Sequence, residues 1–571
     1  MTGTRWQGSK LESVNSPVPD SLVSAVSVLD SLVRAGVRHF VVSPGSRNAP
    51  LTYALGALDA AGVVTAHVRI DERSAGFTAL GLAKASGIPA VVITTSGTAV
   101  GNLVPAVMEA AHSGVPLIVL SADRPPRLRG TGANQTTSQP GIFANFVRAE
   151  ADLVDYQEGD PQATRALAGC LDAAFGRNPQ DWTARGERPL GPVHINLALD
   201  TPLTPEPQAA ELLAGWAESL TEAAEEAVLA PVDSSARPWL LSGKLPAQSA
   251  KTIVVAGDGA GALAQQFAQN LGLPLLAEPS SNARFSPSAI TCYTDVLRSQ
   301  LGAEVEKVVV FGHPTLSRPV HEIINSSETQ TFFYEPSPAP WHQENRLPGI
   351  PVKRLATLGE LAGQGFGLTL ASGDTWLEAW QKAGKSAASQ ALAEIEHYRA
   401  TGKYKGRTAG RALALDIWQE ALQSGETLVV GSSNLIRDLD YIAPSLPACP
   451  RVFANRGLAG IDGTIATAAG ISLANPQEPA SVRLICGDLT FLHDAGSLSI
   501  GPLEQEPRLR IDVLDDRGGG IFATLEHGQL GKTTEFEETV RRFFTTPHQV
   551  ELEELAAAYR SRGMRVRIHR V

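Results

Sequence analysis

Two aspartates separated by a glycine-rich segment carry the strongest chemical signal in the chain. Gly487-Asp488 directly follows the apolar run Val482–Ile485, and Asp515-Asp516-Arg517-Gly518-Gly519-Gly520 follows Leu509–Leu514, so Asp516 stands 28 residues beyond Asp488. A carboxylate at one strand end, a second oxygen ligand at the next and glycines that let the backbone come close suit a Mg²⁺-diphosphate site. The hard cation takes one or two carboxylates together with phosphate oxygens. Two surface turns would carry the same residues, and the spacing leaves both readings open. Glu72, in Asp71-Glu72-Arg73-Ser74, stands between a strand and Ala-rich helical sequence. In isolation it reads as a helix-start acid favoured by the dipole. Ser96-Gly97-Thr98-Ala99-Val100-Gly101-Asn102 is a small-residue turn after a strand, of the kind that admits a ligand, although turn chemistry alone also explains it.

Arginines form the second signal. Arg47, Arg124, Arg437 and Arg456 each sit just past an expected strand, where open α/β sheets bind ligands. Any one of them reads as a solvated surface cation. Four in equivalent places suggest a substrate with more than one carboxylate, because the guanidinium fork pairs with that group in bidentate fashion. Gly257-Asp258-Gly259-Ala260-Gly261 also follows a strand, but position 262 is alanine and no acidic ribose partner stands about 20 residues on. It reads as a tight strand-to-helix turn.

Strands and helices must alternate to place these groups. Leu22–Val37 has helical apolar spacing, and His39–Val42, Val63–Val68, Ala90–Thr95, Pro116–Leu120 and Val193–Leu197 read as strands separated by helical sequence. A second α/β region opens at Thr252–Ala256 and includes Lys307–Phe311, after a polar stretch from Pro231 to Ala250. A third carries Thr427–Val430, Val482–Ile485 and Leu509–Leu514. Alternation of this kind implies parallel sheets covered on both faces. The expected division is three doubly wound α/β domains, over residues 1–205, 206–375 and 376–571.

Composition narrows the function classes. With 48 Lys+Arg against 59 Asp+Glu the net charge is −11, which argues against a nucleic-acid or anionic-lipid partner. Cys170, Cys292, Cys449 and Cys486 form no C-x-x-C pair, so neither a disulfide framework nor a zinc site is suggested. The first 20 residues lack an apolar leader and no run approaches a membrane span, so a cytoplasmic protein is expected.

Together these residues resemble the thiamine-diphosphate-dependent enzymes of the pyruvate-decarboxylase type. Within them the chain is similar to the 2-succinyl-5-enolpyruvyl-6-hydroxy-3-cyclohexene-1-carboxylate (SEPHCHC) synthase family of menaquinone biosynthesis. The resemblance rests on Ser43-Pro-Gly-Ser-Arg-Asn-Ala-Pro-Leu51, Asp71-Glu-Arg-Ser-Ala-Gly-Phe77, Ser96-Gly-Thr-Ala-Val100, Ala122-Asp-Arg-Pro-Pro126 and Gly132-Ala-Asn-Gln135. Asn455-Arg-Gly-Leu-Ala-Gly-Ile-Asp-Gly463 and Gly518-Gly-Gly-Ile-Phe522 extend it to the far end, while the middle region matches least.

The resemblance implies a decarboxylating, C–C bond-forming transferase that takes 2-oxoglutarate and adds the resulting carbanion to isochorismate. It implies thiamine diphosphate with Mg²⁺, or Mn²⁺ in its place, and a homodimer or homotetramer with active sites at the subunit interface. Carried over residue by residue, Glu72 meets the cofactor's aminopyrimidine and is the catalytic acid–base group. Asp488, Asp516 and Gly518 hold the metal, while Ser433, Ile461, Gly487, Leu489, Ile521 and Phe522 line the cofactor. Ser46, Arg47, Arg124, Gln135, Arg318, Ser433, Arg437 and Arg456 bind substrate carboxylates or hydroxyls. The chain departs from the superfamily pattern in having Gly-Asp-Leu for Gly-Asp-Gly and Asp515-Asp516 where paired asparagines are usual. A pyruvate-using, acetolactate-synthase-like enzyme and a non-catalytic thiamine-diphosphate-binding protein are the rival readings. The arginine set speaks against the first, and an acid at position 72 against the second.

Overall fold

The computed structural model describes residues 18–154, 156, 160–176, 190–222, 250–335, 349–365, 368–403, 406–445, 450–475, 477–559 and 561–570. The expected linker at Pro231–Ala250, all but its last residue, and Cys449 lie outside them. Three parallel sheets form the frame. The first contains β1 (His39–Val42), β2 (Thr65–Val68), β3 (Ala90–Thr94), β4 (Leu117–Asp123), β5 (Glu150–Val154) and β6 (Val193–Ala198), in the order β2-β1-β3-β4-β6-β5. The second contains β7 (Thr252–Ala256), β8 (Leu275–Ala277), β9 (Lys307–Phe311), β10 (Gln330–Tyr334) and β11 (Ile350–Val352), ordered β11-β10-β9-β7-β8. The third, β12 (Thr427–Val430), β13 (Val452–Phe453), β14 (Val482–Gly487), β15 (Leu509–Asp515) and β16 (Met564–Arg570), runs β13-β12-β14-β15-β16.

Each sheet is doubly wound: its first strand has the second on one side and the third in sequence on the other. The chain therefore reverses direction between β1 and β3, β7 and β9, and β12 and β14, leaving a crevice at the carboxyl ends of those strands. Burial on both faces explains the uninterrupted apolar strands. Phe40, Val42, Val91 and Ile93 face one core of the first sheet, and Val41, Val92, Leu117 and Val119 face the other.

One helix extends the first region, and others tie the regions together. Ala209–Ser219 lies beyond the expected boundary at 205, yet buries Leu213, Trp216 and Ala217 in the first sheet's core. Trp376–Thr401 sets Trp376 and Trp380 against the second sheet and Ala391 and Ile395 into the core of the third. The helix Glu72–Ser86 packs on Thr464–Leu473 from the other end of the chain, and only glycine fits where they cross. A Cβ at Gly81 would stand 2.2 Å from the Thr467 carbonyl oxygen, and one at Gly470 would stand 2.1 Å from that of Thr78. Among the described residues no helix is long and apolar enough to cross a membrane. Cys170, Cys292 and Cys486 are free and buried.

Candidate active site

The first crevice gathers Arg47, Arg124 and Gln135. The loop after β1 is held by two contacts: the Ser43 amide donates to Ile93 O at 3.0 Å, and the Arg47 amide to Thr95 Oγ1 at 3.3 Å. Arg47 Nη1 donates to Leu199 O at 2.7 Å, and Ser46 beside it is exposed. From β4, Arg124 Nη1 donates to Ser96 Oγ and to the Gln135 carbonyl. Gln135 Nε2 in turn donates to Ser96 O at 3.1 Å. The two guanidinium groups are close enough that burial first, then Arg124, lowers the pKa of Arg47. An anion placed between them would relieve that repulsion.

Glu72 opens its helix at the edge of the first sheet. Asp71 takes the capping role, accepting from the Arg73 amide at 2.9 Å, so the Glu72 carboxylate is not consumed as a cap. Its Oε2 accepts from Asn102 Nδ2 at 3.2 Å. Its neighbours anchor in the third region: Arg73 Nη2 donates to His493 O at 2.9 Å, and Ser74 Oγ lies 2.7 Å from Ser497 Oγ.

The third crevice is framed by Ser433 and Gly487-Asp488. Ser433 caps the helix Asn434–Ile442, its Oγ accepting from the Leu435 amide at 3.1 Å and its carbonyl from Arg437 Nη1 at 2.9 Å. Burial, then Arg456 and Arg407, lowers the Arg437 pKa. Arg456 is 3% exposed, and its Nε donates to Thr315 Oγ1 at 2.8 Å. Arg318, which opens the helix Arg318–Ile324 just after that loop, is exposed. Ile521 and Phe522 form a turn beside this crevice: Thr524 Oγ1 accompanies them, donating to Ile521 O at 2.7 Å and to Asn434 Oδ1 at 3.5 Å. Phe522 packs edge-on to Phe544 at 5.6 Å. Ile461 and Leu489 are half-buried, Ile461 O accepting from Thr464 Oγ1 at 3.1 Å.

Acids converge at the ends of β14 and β15. Asp488 is buried; Oδ1 accepts from the Leu489 amide at 2.7 Å, and Oδ2 from the Gly518 amide at 2.8 Å. His548 Nε2 lies 2.9 Å from the same Oδ2. Asp488, Asp515 and His548 each bring one ligand atom within 4.8 Å of the others, and Asp515 Oδ2 is buried without a hydrogen-bond partner. Burial raises the Asp488 pKa, with His548 opposing. Asp516 turns over Gly520, where a Cβ would lie 1.9 Å from Asp516 Oδ2, and burial followed by Asp488 pushes it up to about 6. Asp515 Oδ2 lies 3.5 Å from Arg517 Nε and 3.7 Å from Arg570 Nε, and the crowding of Asp488, Asp515 and Asp516 at two strand ends fits a divalent cation, whose charge would offset their mutual repulsion.

The second crevice is closed. Gly257 donates to Phe311 O at 2.9 Å, and Asp258 and His313 exchange backbone hydrogen bonds at 3.0 and 2.9 Å. A Cβ on Gly257 would stand 2.0 Å from the Pro314 nitrogen. This Gly-Asp turn is a backbone splice between loops.

Comparison with known proteins meets this geometry from outside. Residues 24–142, which include Arg47, Glu72, Arg124 and Gln135, match the thiamine pyrophosphate enzyme, N-terminal TPP binding domain. The SEPHCHC synthase of Renibacterium salmoninarum is 47% identical over 539 residues, 94% of this chain and 89% of the relative. The chain belongs to the SEPHCHC synthase family. The synthase of an Arthrobacter species is 46% identical over 94% of this chain and 84% of its own length, and that of Mycobacterium bovis 36% over 96% and 93%.

For a SEPHCHC synthase family member, sequence reasoning found both basic clusters but missed their supports. His548 lies 60 residues beyond Asp488 in a Thr-Thr-Pro-His turn, with no spacing signal to join them. Asn102 is the one partner of Glu72 that a motif could have offered, since it closes the Ser96–Asn102 turn. Thr315 and the buried Glu109, which accepts from the Gly457 and Leu458 amides at 2.8 Å each, carried no motif.

Proposed function

We propose that this thiamine-diphosphate-dependent transferase of menaquinone biosynthesis decarboxylates 2-oxoglutarate and joins the remaining fragment to isochorismate, giving SEPHCHC. The observation that carries this is the pair of strand-end basic clusters, Arg47/Arg124 and Arg437/Arg456, flanking crevices that also supply Glu72 and the acid cluster. Two substrates that together carry several carboxylates need cations in more than one place, and pyruvate does not.

When bound, thiamine diphosphate supplies the carbon centre that adds to a keto group and allows carbon dioxide to leave. Glu72, free of capping duty, holds a proton at the aminopyrimidine ring nitrogen. Asp488, Asp516 and the Gly518 carbonyl hold Mg²⁺ or Mn²⁺, with His548 orienting Asp488, and Gly487 and Leu489 bring the backbone to the diphosphate. Ser433, Ile461, Ile521 and Phe522 wall the cofactor and exclude water. Arg47, Arg124, Gln135 and Ser46 bind one set of substrate oxygens, and Arg318, Arg437, Arg456 and Ser433 another. Domains at 1–205, 206–375 and 376–571 divide these tasks in a cytoplasmic homo-oligomer, whose active sites lie between the first domain of one subunit and the third of another.

Incubation with isochorismate, 2-oxoglutarate, thiamine diphosphate and Mg²⁺, followed by mass spectrometry, should yield the mass of SEPHCHC. Faster turnover of pyruvate than of 2-oxoglutarate would overturn the assignment.

A further inference from the structure

Glu278 has no part in the site as assembled above. It follows β8 directly and is 1% exposed. Its Oε1 accepts two consecutive amides, Thr315 at 2.7 Å and Leu316 at 2.8 Å, while the buried Oε2 has no hydrogen-bond partner. The loop held in this way presents Thr315 to Arg456. A guanidinium carries five N–H groups. Three are engaged here: Nε by Thr315 Oγ1 at 2.8 Å, one on Nη2 by Thr315 O at 3.2 Å, and one on Nη1 by Ser432 Oγ at 3.2 Å. One N–H on each Nη is left to meet a carboxylate.

We propose that Glu278 is a positioning residue for Arg456: its grip on the Thr315 and Leu316 amides fixes the acceptors that aim the guanidinium at a substrate carboxylate. The inference rests on the reading of Arg456 as a substrate contact and adds a role for the second region.

A pH dependence follows. Burial, reinforced by Asp440, pushes Glu278 up to about 8, against the Leu316 amide, Arg456 and the Thr315 amide. The groups that face it are Asp440 and Arg437 from the helix Asn434–Ile442, Tyr293 from the helix Tyr293–Leu297, and Arg456 itself. Asp440 is already paired with Arg284 at 3.0 Å and accepts from Tyr293 OH at 2.7 Å. Below about 8 Glu278 keeps its proton and the Arg456 charge is available to substrate. Above that value a new anion competes for Arg456, so carboxylate binding weakens as pH rises.

The test uses full-length enzyme with thiamine diphosphate and Mg²⁺, with KM and kcat measured for both substrates from about pH 6.5 to 9.5. Arg456→Lys identifies the substrate whose KM responds. Glu278→Ala and Thr315→Val should each raise that same KM about tenfold, with kcat and calorimetric cofactor affinity within about threefold. Glu278→Gln should restore the KM at neutral pH and abolish its alkaline rise. If Arg456→Lys raises a KM that Glu278→Ala and Thr315→Val leave alone, or if Glu278→Gln keeps the alkaline rise, the positioning role falls while the substrate reading of Arg456 stands. If Arg456→Lys changes neither KM, that reading fails and takes the positioning role with it.

Discussion

The second and third sheets carry the same dipeptide at a strand end that borders the crevice, on the first strand of the second sheet and on the third strand of the third. Gly257-Asp258 follows β7, Gly487 ends β14 with Asp488 opening the next helix, and each pair borders the crevice where its sheet reverses strand order. In the second sheet the loop after β9 fills that crevice, with Asp258 and His313 bonded backbone to backbone and Gly257 pressed against Pro314. In the third, nothing lies within 4 Å of where a Gly487 Cβ would stand, and Asp488 meets an amide and an imidazole from distant segments. A glycine-aspartate turn becomes a ligand site only when the neighbouring loop stays away. The short motif does not encode that condition.

Substitutions can sharpen the contrast. At the edge of the first sheet, Glu72→Gln should cut turnover by about 10²–10⁴-fold, with cofactor affinity and thermal midpoint unchanged. Near-normal activity would remove Glu72 from the proton-handling role. Asp488→Ala should weaken Mg²⁺-dependent cofactor binding by about 10–100-fold in calorimetric titration, whereas Asp258→Ala should leave it as it was. Equal losses would erase the distinction between the two turns. Gly257→Ala should destabilise the fold by about 1–3 kcal/mol through its clash with Pro314, while Gly487→Ala should stay within about 0.5 kcal/mol, both read from urea unfolding. Last, Arg437→Ala should raise KM for one substrate several-fold and leave cofactor affinity alone; an unchanged KM would make it a solvated cation.

The sequence reading reached the strands best where burial on both faces leaves continuous apolar text, as in His39–Val42 and Lys307–Phe311. It missed β5, whose burial alternates, and β16, whose Arg and His side chains pair with Asp512, Asp515 and the acids of the segment from Glu551 to Glu553. Strand-end placement brought out the four arginines together, because topology alone carries them to the crevices. The partners that aim them were not legible. Glu109, Glu278 and Thr315 act through main-chain amides and a carbonyl, contacts that leave no residue-type pattern along the chain. Asp515 and His548, which gather around Asp488 beside Asp516, were not legible as part of the cluster, because no spacing joins His548 to the two strand ends.

The glycine crossing between the helices Glu72–Ser86 and Thr464–Leu473 also has a meaning in time. The two surfaces are separated by about 390 residues of chain, and translation proceeds at about 5–20 residues per second. The helix Glu72–Ser86 is therefore made about 20–80 s before the helix that covers its small-residue face. Through that interval the backbone groove around Gly81 stands open. A chain released before position 464 would carry Glu72 without the helix Thr464–Leu473 that packs on its own helix.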